Sequence, residues 1–413
     1  MIFLQARSEK NKSKFKKNRY TDLVNNFLKL GGFMKGFLPK NAPAKSYSID
    51  SNSCARIEDI CNNLPKLLLT GKVQSTIDKL SKKDLSIKQL LVNQMGQDLK
   101  LAMSQLSFIA HAYIWGDTKP HGKLPESLAK PWVEVANNQG RPPILSYASY
   151  CLDNWFLINK DEAISLENVG LINNFLGGVD EDWFVTIHVC IENAASGAID
   201  ACQKIAQCDG ASSEKEILNL LNEIVESMKK VNSIFARMPE KCDPYIYYHR
   251  VRPFIFGTKD NPDLKKGLIY EGQFENKPQF FRGETGAQSS IIPSLDGALQ
   301  ISHTKDHLRH YLNEMRDYMP PKHRKFISTL EDSSMIKGLI KDSRKLTSRY
   351  NDCLEEIRAF RAMHLEYAGT YIHKQSQIKN PFGRGGSTIT GTGGTPFMTY
   401  LKKHRDETEQ QKK

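Results

Sequence analysis

The sequence predicts a mostly α-helical chain in two domains, from two observations. In its longer segments the apolar residues recur at steps of three and four, the spacing of one helical face. At 413 residues the chain also exceeds the roughly 250–300 residues that one hydrophobic core usually serves. Hydrophobic residues make up 39% and charged residues 25%, an ordinary globular balance with ample material for a core. No apolar run approaches the roughly 18 residues of a membrane span.

Residues 1–45 carry 11 Lys and Arg against 2 Asp and Glu, so about +9 of the +12 net charge sits in this basic, poorly ordered tail. The body is nearly neutral, so a nucleic-acid partner is not expected. The tail itself could touch an anionic surface. Its start, MIFLQARSEK, lacks the basic-then-apolar order of a secretory signal. The eight cysteines show no CxxC pair and no regular framework, and free thiols in a reducing cytoplasm are expected.

Residues 46–175 read as a small N-terminal domain. They hold short helical patterns and then the stretch ESLAKPWVEVANNQGRPPILSYASYCLDNW, where Pro120, Pro125, Pro131, Pro142 and Pro143 predict irregular chain. Residues 176–405 read as a larger helical domain. WFVTIHVCIENAASGAIDACQKIAQC is expected to be one helix, its small residues permitting close packing, and EKEILNLLNEIVESMKKVNSIFARM a second. MPPKHRKFISTLE predicts a turn and then a helix with Pro at an early position. Residues 375–395, rich in Gly, Ser and Thr, are too long for a connector between helices and read as a mobile lid.

The segment LTSRYNDCLEEIRAFRAMHLEYAGTYIHKQ sets Tyr350, Cys353, Ile357, Phe360, His364, Tyr367 and Tyr371 on one helical face. A neutral imidazole at His364 needs a partner for each ring nitrogen. A haem iron in an apolar pocket supplies one, and so does a backbone carbonyl in an ordinary core. His188 poses the same choice on another apolar helix, with Phe184 four residues before it. HTKDHLRH spaces His303, His307 and His310 at i, i+4 and i+7, which on one helix is a zinc-binding face. Its Lys305, Asp306 and Arg309, and the lack of a catalytic glutamate, favour a solvated surface. GTGGT, Gly391 to Thr395, has glycines and hydroxyls but no phosphate-loop lysine, so Thr392 suits capture of a carboxylate or ammonium better than of a nucleotide.

From about Arg141 to Lys403 the chain resembles the indoleamine 2,3-dioxygenases. The matching strings are PPILSYASYCLDNW, ENAASGAI, RVRPFIFG with KDNPDLKKGLIYEG, RGETGAQSS, MPPKHRKFI, RAFRAMHLEY and GTGGTPFMTYLKKHRDETE, in that family's order. The resemblance implies a helical fold with haem b buried in the larger domain. It also implies cleavage of the indole C2–C3 bond of tryptophan by O2 to N-formylkynurenine. His364 becomes the axial ligand of the haem iron, and Arg361 a partner for a haem propionate. Arg252 matches the arginine that holds the substrate carboxylate. Tyr147 and Phe184 resemble indole-pocket walls, Gly286 leaves room on the distal side, and Thr392 is similar to the lid residue at the amino-acid end of the substrate. Two positions depart from the pattern. Tyr247 stands where phenylalanine is usual, and His188 where the animal enzymes carry serine. His188 is expected to accept a hydrogen bond from the indole N–H. The alternatives left open are a related haem enzyme acting on another indole, and a non-catalytic haem-binding protein.

Overall fold

The computed structural model describes residues 36–304, 307–378 and 397–412. Short helices Asn52–Asn62, Leu64–Leu69, Val73–Ile77 and Lys88–Val92 (α1 to α4) pack against the long α5, Gly96–Trp115. Every residue of α5 from Leu101 to Trp115 is buried. A helix buried on all sides can only be central, and the surrounding elements dock on it. Next come α6 (Glu126–Gln139), α7 (Val179–Ala194), α8 (Ser196–Ile205) and α9 (Glu214–Phe235). The chain continues with α10 (Ile291–Ala298), α11 (His307–Arg316), α12 (Pro321–Ser333), α13 (Ile336–Ile340), α14 (Arg344–Ala368) and, at the C-terminal end, α15 (Phe397–Glu409).

Strands are few among the described residues. Lys123–Leu124 (β1) pairs in parallel with Ile269–Tyr270, and Trp155–Leu157 (β2) pairs antiparallel with Val169–Leu171 (β3). The first pair joins the N-terminal half to a segment 146 residues later in register, Lys123 opposite Ile269. Ring stacking likewise runs from Phe108 through Phe175 to Phe254, with centroids 4.6 and 4.9 Å apart, across the position of the expected domain boundary.

Three expectations about local structure are corrected. The proline-rich stretch is not all irregular. Pro125 precedes α6 and Pro131 lies inside it, because Leu128, Trp132, Val133, Val135 and Ala136 are buried on α5's side of the molecule and their burial outweighs one lost backbone bond. Helix α6 ends at Gly140, which adopts the left-handed φ of +61°. The single helix expected over residues 183–208 breaks at Ala195 into α7 and α8. There α8 closes on α9 so tightly that a Cβ on Gly197 would lie 2.7 Å from Ser227 Oγ. The packed body also begins before residue 46, since Phe37 is buried against His323 and Phe326.

Helices α9 and α14 carry the wall of the site. Ser213 caps α9 by accepting from the Glu216 N–H, and Ile217, Leu221, Ile224, Val225, Met228 and Val231 form its buried face. Ser343 caps α14 in the same way at Leu346. The predicted stripe of α14 divides in two. Tyr350, Cys353 and Ile357 are wholly buried against the body, whereas Phe360, His364, Tyr367 and Tyr371 open onto a cavity. The Tyr350 hydroxyl donates to the Leu299 carbonyl and the Tyr371 hydroxyl to that of Cys242, which fixes both ends of the stripe.

Candidate active site

A cavity of about 300 Å³ lies between α7, α9, α10, α14 and the turns around Arg252 and Gly286. His364 projects into it from α14. Its ring makes edge contact with Phe235, and no hydrogen bond to it occurs among the described residues. Burial, with a smaller contribution from His188, pulls its imidazole down to about 4, so it is neutral and keeps a lone pair. His111 shows what an ordinary core histidine does here. It is wholly buried, Nδ1 lies 2.7 Å from the Phe254 carbonyl, and Nε2 accepts the Leu145 N–H. His364 has neither of these two partners among the described residues.

His188 faces the same cavity from α7. Its Nδ1 lies 2.7 Å from the Phe184 carbonyl, and a carbonyl only accepts, so Nδ1 carries the proton. Burial keeps the ring neutral by lowering its pKa, and Nε2 is therefore an acceptor. Phe184 packs on the His188 ring at 4.4 Å and stacks on Tyr247 at 4.7 Å, and Tyr147 meets His188 edge-on at 5.8 Å. These rings form one aromatic wall.

Arg252 is wholly buried and lines the cavity, its guanidinium held between the Tyr248 and Phe256 rings at 5.0 and 4.7 Å. Burial pulls it below its ordinary range. The loop bearing Gly286 is placed by a glycine pair: a Cβ on Gly257 would lie 2.1 Å from the Gly283 nitrogen, so the two backbones touch. At Gly286 itself a Cβ would meet nothing within 4 Å, because the position borders open space.

Sequence reasoning missed Glu284 and Asp296, which line this cavity, and Glu192, which is bonded to its lining residues Tyr147 and Ser289. Glu192 lies four residues after His188 on the same face of α7, a spacing that marks it in hindsight. It accepts from the Tyr147 hydroxyl at 2.9 Å and from Ser289 at 2.8 Å, and burial pushes its carboxyl up to about 7. Glu284, also buried, is pushed up to about 8 by desolvation. Asp296 was equally unmarked.

Two expectations change here. Arg361 lines the cavity, but in this structure its Nη2 lies 2.8 and 2.9 Å from the Asp296 carboxylate and its Nη1 is bonded to Thr408. Any acid group brought to Arg361 would share it with Asp296. His303 does not share a helical face with His307 and His310. Helix α11 begins only at His307, and His303 is buried before it, 3.0 Å from Asp296 and 2.7 Å from Glu407. Thr392 and most of the expected lid lie outside the described residues.

These residues fit a haem. A neutral, unengaged imidazole facing an apolar and aromatic cavity is the donor an iron porphyrin takes, and the buried Arg361 lines the same cavity. The comparisons with known proteins give the family. Residues 33–411 match the family described as indoleamine 2,3-dioxygenase.

The chain belongs to the indoleamine 2,3-dioxygenase family.

It is 34% identical to indoleamine 2,3-dioxygenase 1 of Rattus norvegicus over 85% of this chain and 87% of that protein. It is 31% identical to the indoleamine 2,3-dioxygenase of Saccharomyces cerevisiae, over 90% of each chain. A 6-hydroxytryptophan 2,3-dioxygenase of Fusarium equiseti is 28% identical over 90% of this chain and 94% of that protein. Family membership makes the chain an oxygenase of helical fold. Among the described residues no helix is long and apolar enough to cross a membrane.

Proposed function

We propose that this chain is a haem b enzyme that adds both atoms of O2 across the indole C2–C3 bond of L-tryptophan, giving N-formylkynurenine. The observation that carries the proposal is the pair of neutral imidazoles facing one cavity, His364 with its lone pair unengaged and His188 with Nε2 as an acceptor. His364 would hold the iron, and the haem when bound supplies the activation of oxygen.

The chain's own residues then orient and enclose the substrate. Arg252, planar and buried, offers a two-pronged donor to the tryptophan carboxylate. Phe184, Tyr147 and Tyr247 form the aromatic wall against which the indole lies, and Gly286 leaves the space it needs. His188 Nε2 accepts from the indole N–H and so fixes which edge of the ring faces the reacting centre. Water is excluded by the apolar wall of Phe235, Phe360 and Ile292. His188 is thus a substrate-touching residue that positions the ring without removing a proton.

A related reading keeps the reaction and changes the indole. The Tyr247 hydroxyl makes the pocket more polar than the usual phenylalanine would, and the Fusarium relative is named for a hydroxylated tryptophan. One experiment separates these readings. The ferrous, haem-loaded protein and its His364→Ala variant are compared by anaerobic absorption spectra, then given air with tryptophan or 6-hydroxytryptophan. A histidine-ligated spectrum lost in the variant, with N-formylkynurenine formed from tryptophan by wild type alone, is the expected result. Normal haem ligation in the variant would sink the assignment of His364. Turnover of the hydroxylated substrate alone would favour the second reading, and a haem spectrum without turnover of either would favour a non-catalytic haem protein.

A further inference from the structure

At the edge of the cavity, which His404 lines, His303, His404 and Glu407 bring three ligand atoms within 4.8 Å of one another. The segment before α11 supplies His303. Helix α15 supplies His404 and Glu407, three residues apart and so on one face. The His303 and His404 rings stack nearly parallel, with centroids 4.5 Å apart and 26° between planes. Each group around them already has one side committed. Glu407 Oε1 accepts from the Thr304 hydroxyl and N–H at 2.7 and 3.2 Å, with Lys403 Nζ at 3.7 Å, and Oε2 is turned to His303 Nδ1 at 2.7 Å. On the far side of the same ring, Nε2 is 3.0 Å from Asp296, whose carboxylate is in turn fixed by Arg361. The His303 side chain is 1% exposed.

We propose that His303 Nδ1, His404 and Glu407 Oε2 form a site for a divalent transition-metal ion of the zinc class. Two imidazoles and a carboxylate are the donors such an ion prefers, and three protein ligands leave a fourth position for water. The arrangement behind them is the one metal-bound histidines use, a carboxylate on the second ring nitrogen that sets tautomer and orientation, here Asp296. An ion with bonds of about 2.0–2.1 Å needs ligand atoms roughly 3.3 Å apart, so the His303 to Glu407 contact opens by only about 0.6 Å. The bound ion takes the place of the proton between Nδ1 and Oε2. It would cross-link α15 to the segment that precedes α11. This site is separate from the axial position at His364 and does not depend on which indole the enzyme takes.

The test uses full-length, haem-loaded protein freed of loosely held metal by chelator, with Zn2+ as probe in equilibrium dialysis and zinc-edge X-ray absorption. Wild type is expected to bind one equivalent of zinc with nitrogen and oxygen neighbours. The variant His404→Phe keeps the ring stack and should lose affinity by about 100-fold or more, while Glu407→Gln keeps the Thr304 bonds and should lose at least about 10-fold. His310→Ala, on the exposed surface of α11, serves as the control and should bind like wild type. Circular dichroism and the haem spectrum report that each variant is folded. Absence of stoichiometric zinc in wild type would overturn the site, as would wild-type affinity in both His404→Phe and Glu407→Gln, or loss confined to His310→Ala.

Discussion

Replacing Glu192 by glutamine should reduce the stability that is lost as pH rises, because Glu192 is a buried carboxyl bonded to the cavity residues Tyr147 and Ser289. Glu192 is 1% exposed, and its carboxyl is raised from 4.5 to about 7 by burial, although hydrogen bonds from Ser289 and Tyr147 oppose the rise. Below pH 4.5 the group is protonated in both folded and unfolded chains. Between 4.5 and about 7 the folded chain keeps the proton while the unfolded chain releases it, so each rise in pH favours unfolding. The stability contributed by this group at low pH is therefore lost as pH passes through 7. A rise of that size corresponds to at most about 3.4 kcal/mol. For 413 residues melting together, the unfolding entropy is on the order of 0.9 kcal/mol per degree, so the full effect is about 4 °C. Glutamine keeps an acceptor for Tyr147 and Ser289 and puts an amide where Glu192 Oε2 has no hydrogen-bond partner. That substitution adds an offset that pH does not change. The measurement is the Tm of wild type and Glu192→Gln by calorimetry at pH 5 and pH 8. The variant should gain on wild type by about 3 °C between the two, because the unfolded-chain carboxyl is already partly ionised at pH 5. A gap independent of pH, or one that moves in wild type's favour on going to pH 8, would refute the reasoning.

Further outcomes follow from the same geometry. Gly257→Ala and Gly283→Ala each drive a Cβ to within 2.2 Å of backbone nitrogen, so both should cost about 3 kcal/mol or more in denaturant titrations. Gly286→Ala, where a Cβ meets nothing within 4 Å, should stay within about 0.5 kcal/mol of wild type. Equal losses at all three would show that the close approach does not govern this loop. Arg252→Lys replaces a planar fork by a point charge and should weaken tryptophan binding by about 100-fold while sparing 3-methylindole, which has no carboxylate. Parallel weakening of both ligands would instead indicate a collapsed pocket. Wild type should turn over N1-methyltryptophan at least about 10-fold more slowly than tryptophan, and His188→Ala should erase that preference, since the acceptor at Nε2 is gone. Equal rates in wild type would remove the role assigned to His188.

The legible part of this protein was the part written in local spacing. The stripe from Tyr350 to Tyr371 and the apolar faces of α7 and α9 are set by steps of three and four, so the helices that bear the site could be placed from residues alone. The family strings added which histidine to watch. The proline-rich stretch misled because proline's local cost was read without the burial that offsets it around Trp132. The histidines of HTKDHLRH misled for a related reason, since equal spacing means one face only if the residues lie in one helix, and His303 lies before α11 begins.

By itself, then, the sequence determined the helical architecture and the residue types available to the site, because periodicity and capping are short-range properties of neighbouring residues. Only the tertiary structure decided which nitrogen of His188 carries the proton, that His111 and not His364 is the satisfied core histidine, and that Arg361 is shared with Asp296. It alone joined His303 to Glu407 across 104 positions of chain. Tautomers, pKa values and ligand sets depend on groups that meet through space, and no spacing along the chain encodes the desolvation or the partner that each of them finds after folding.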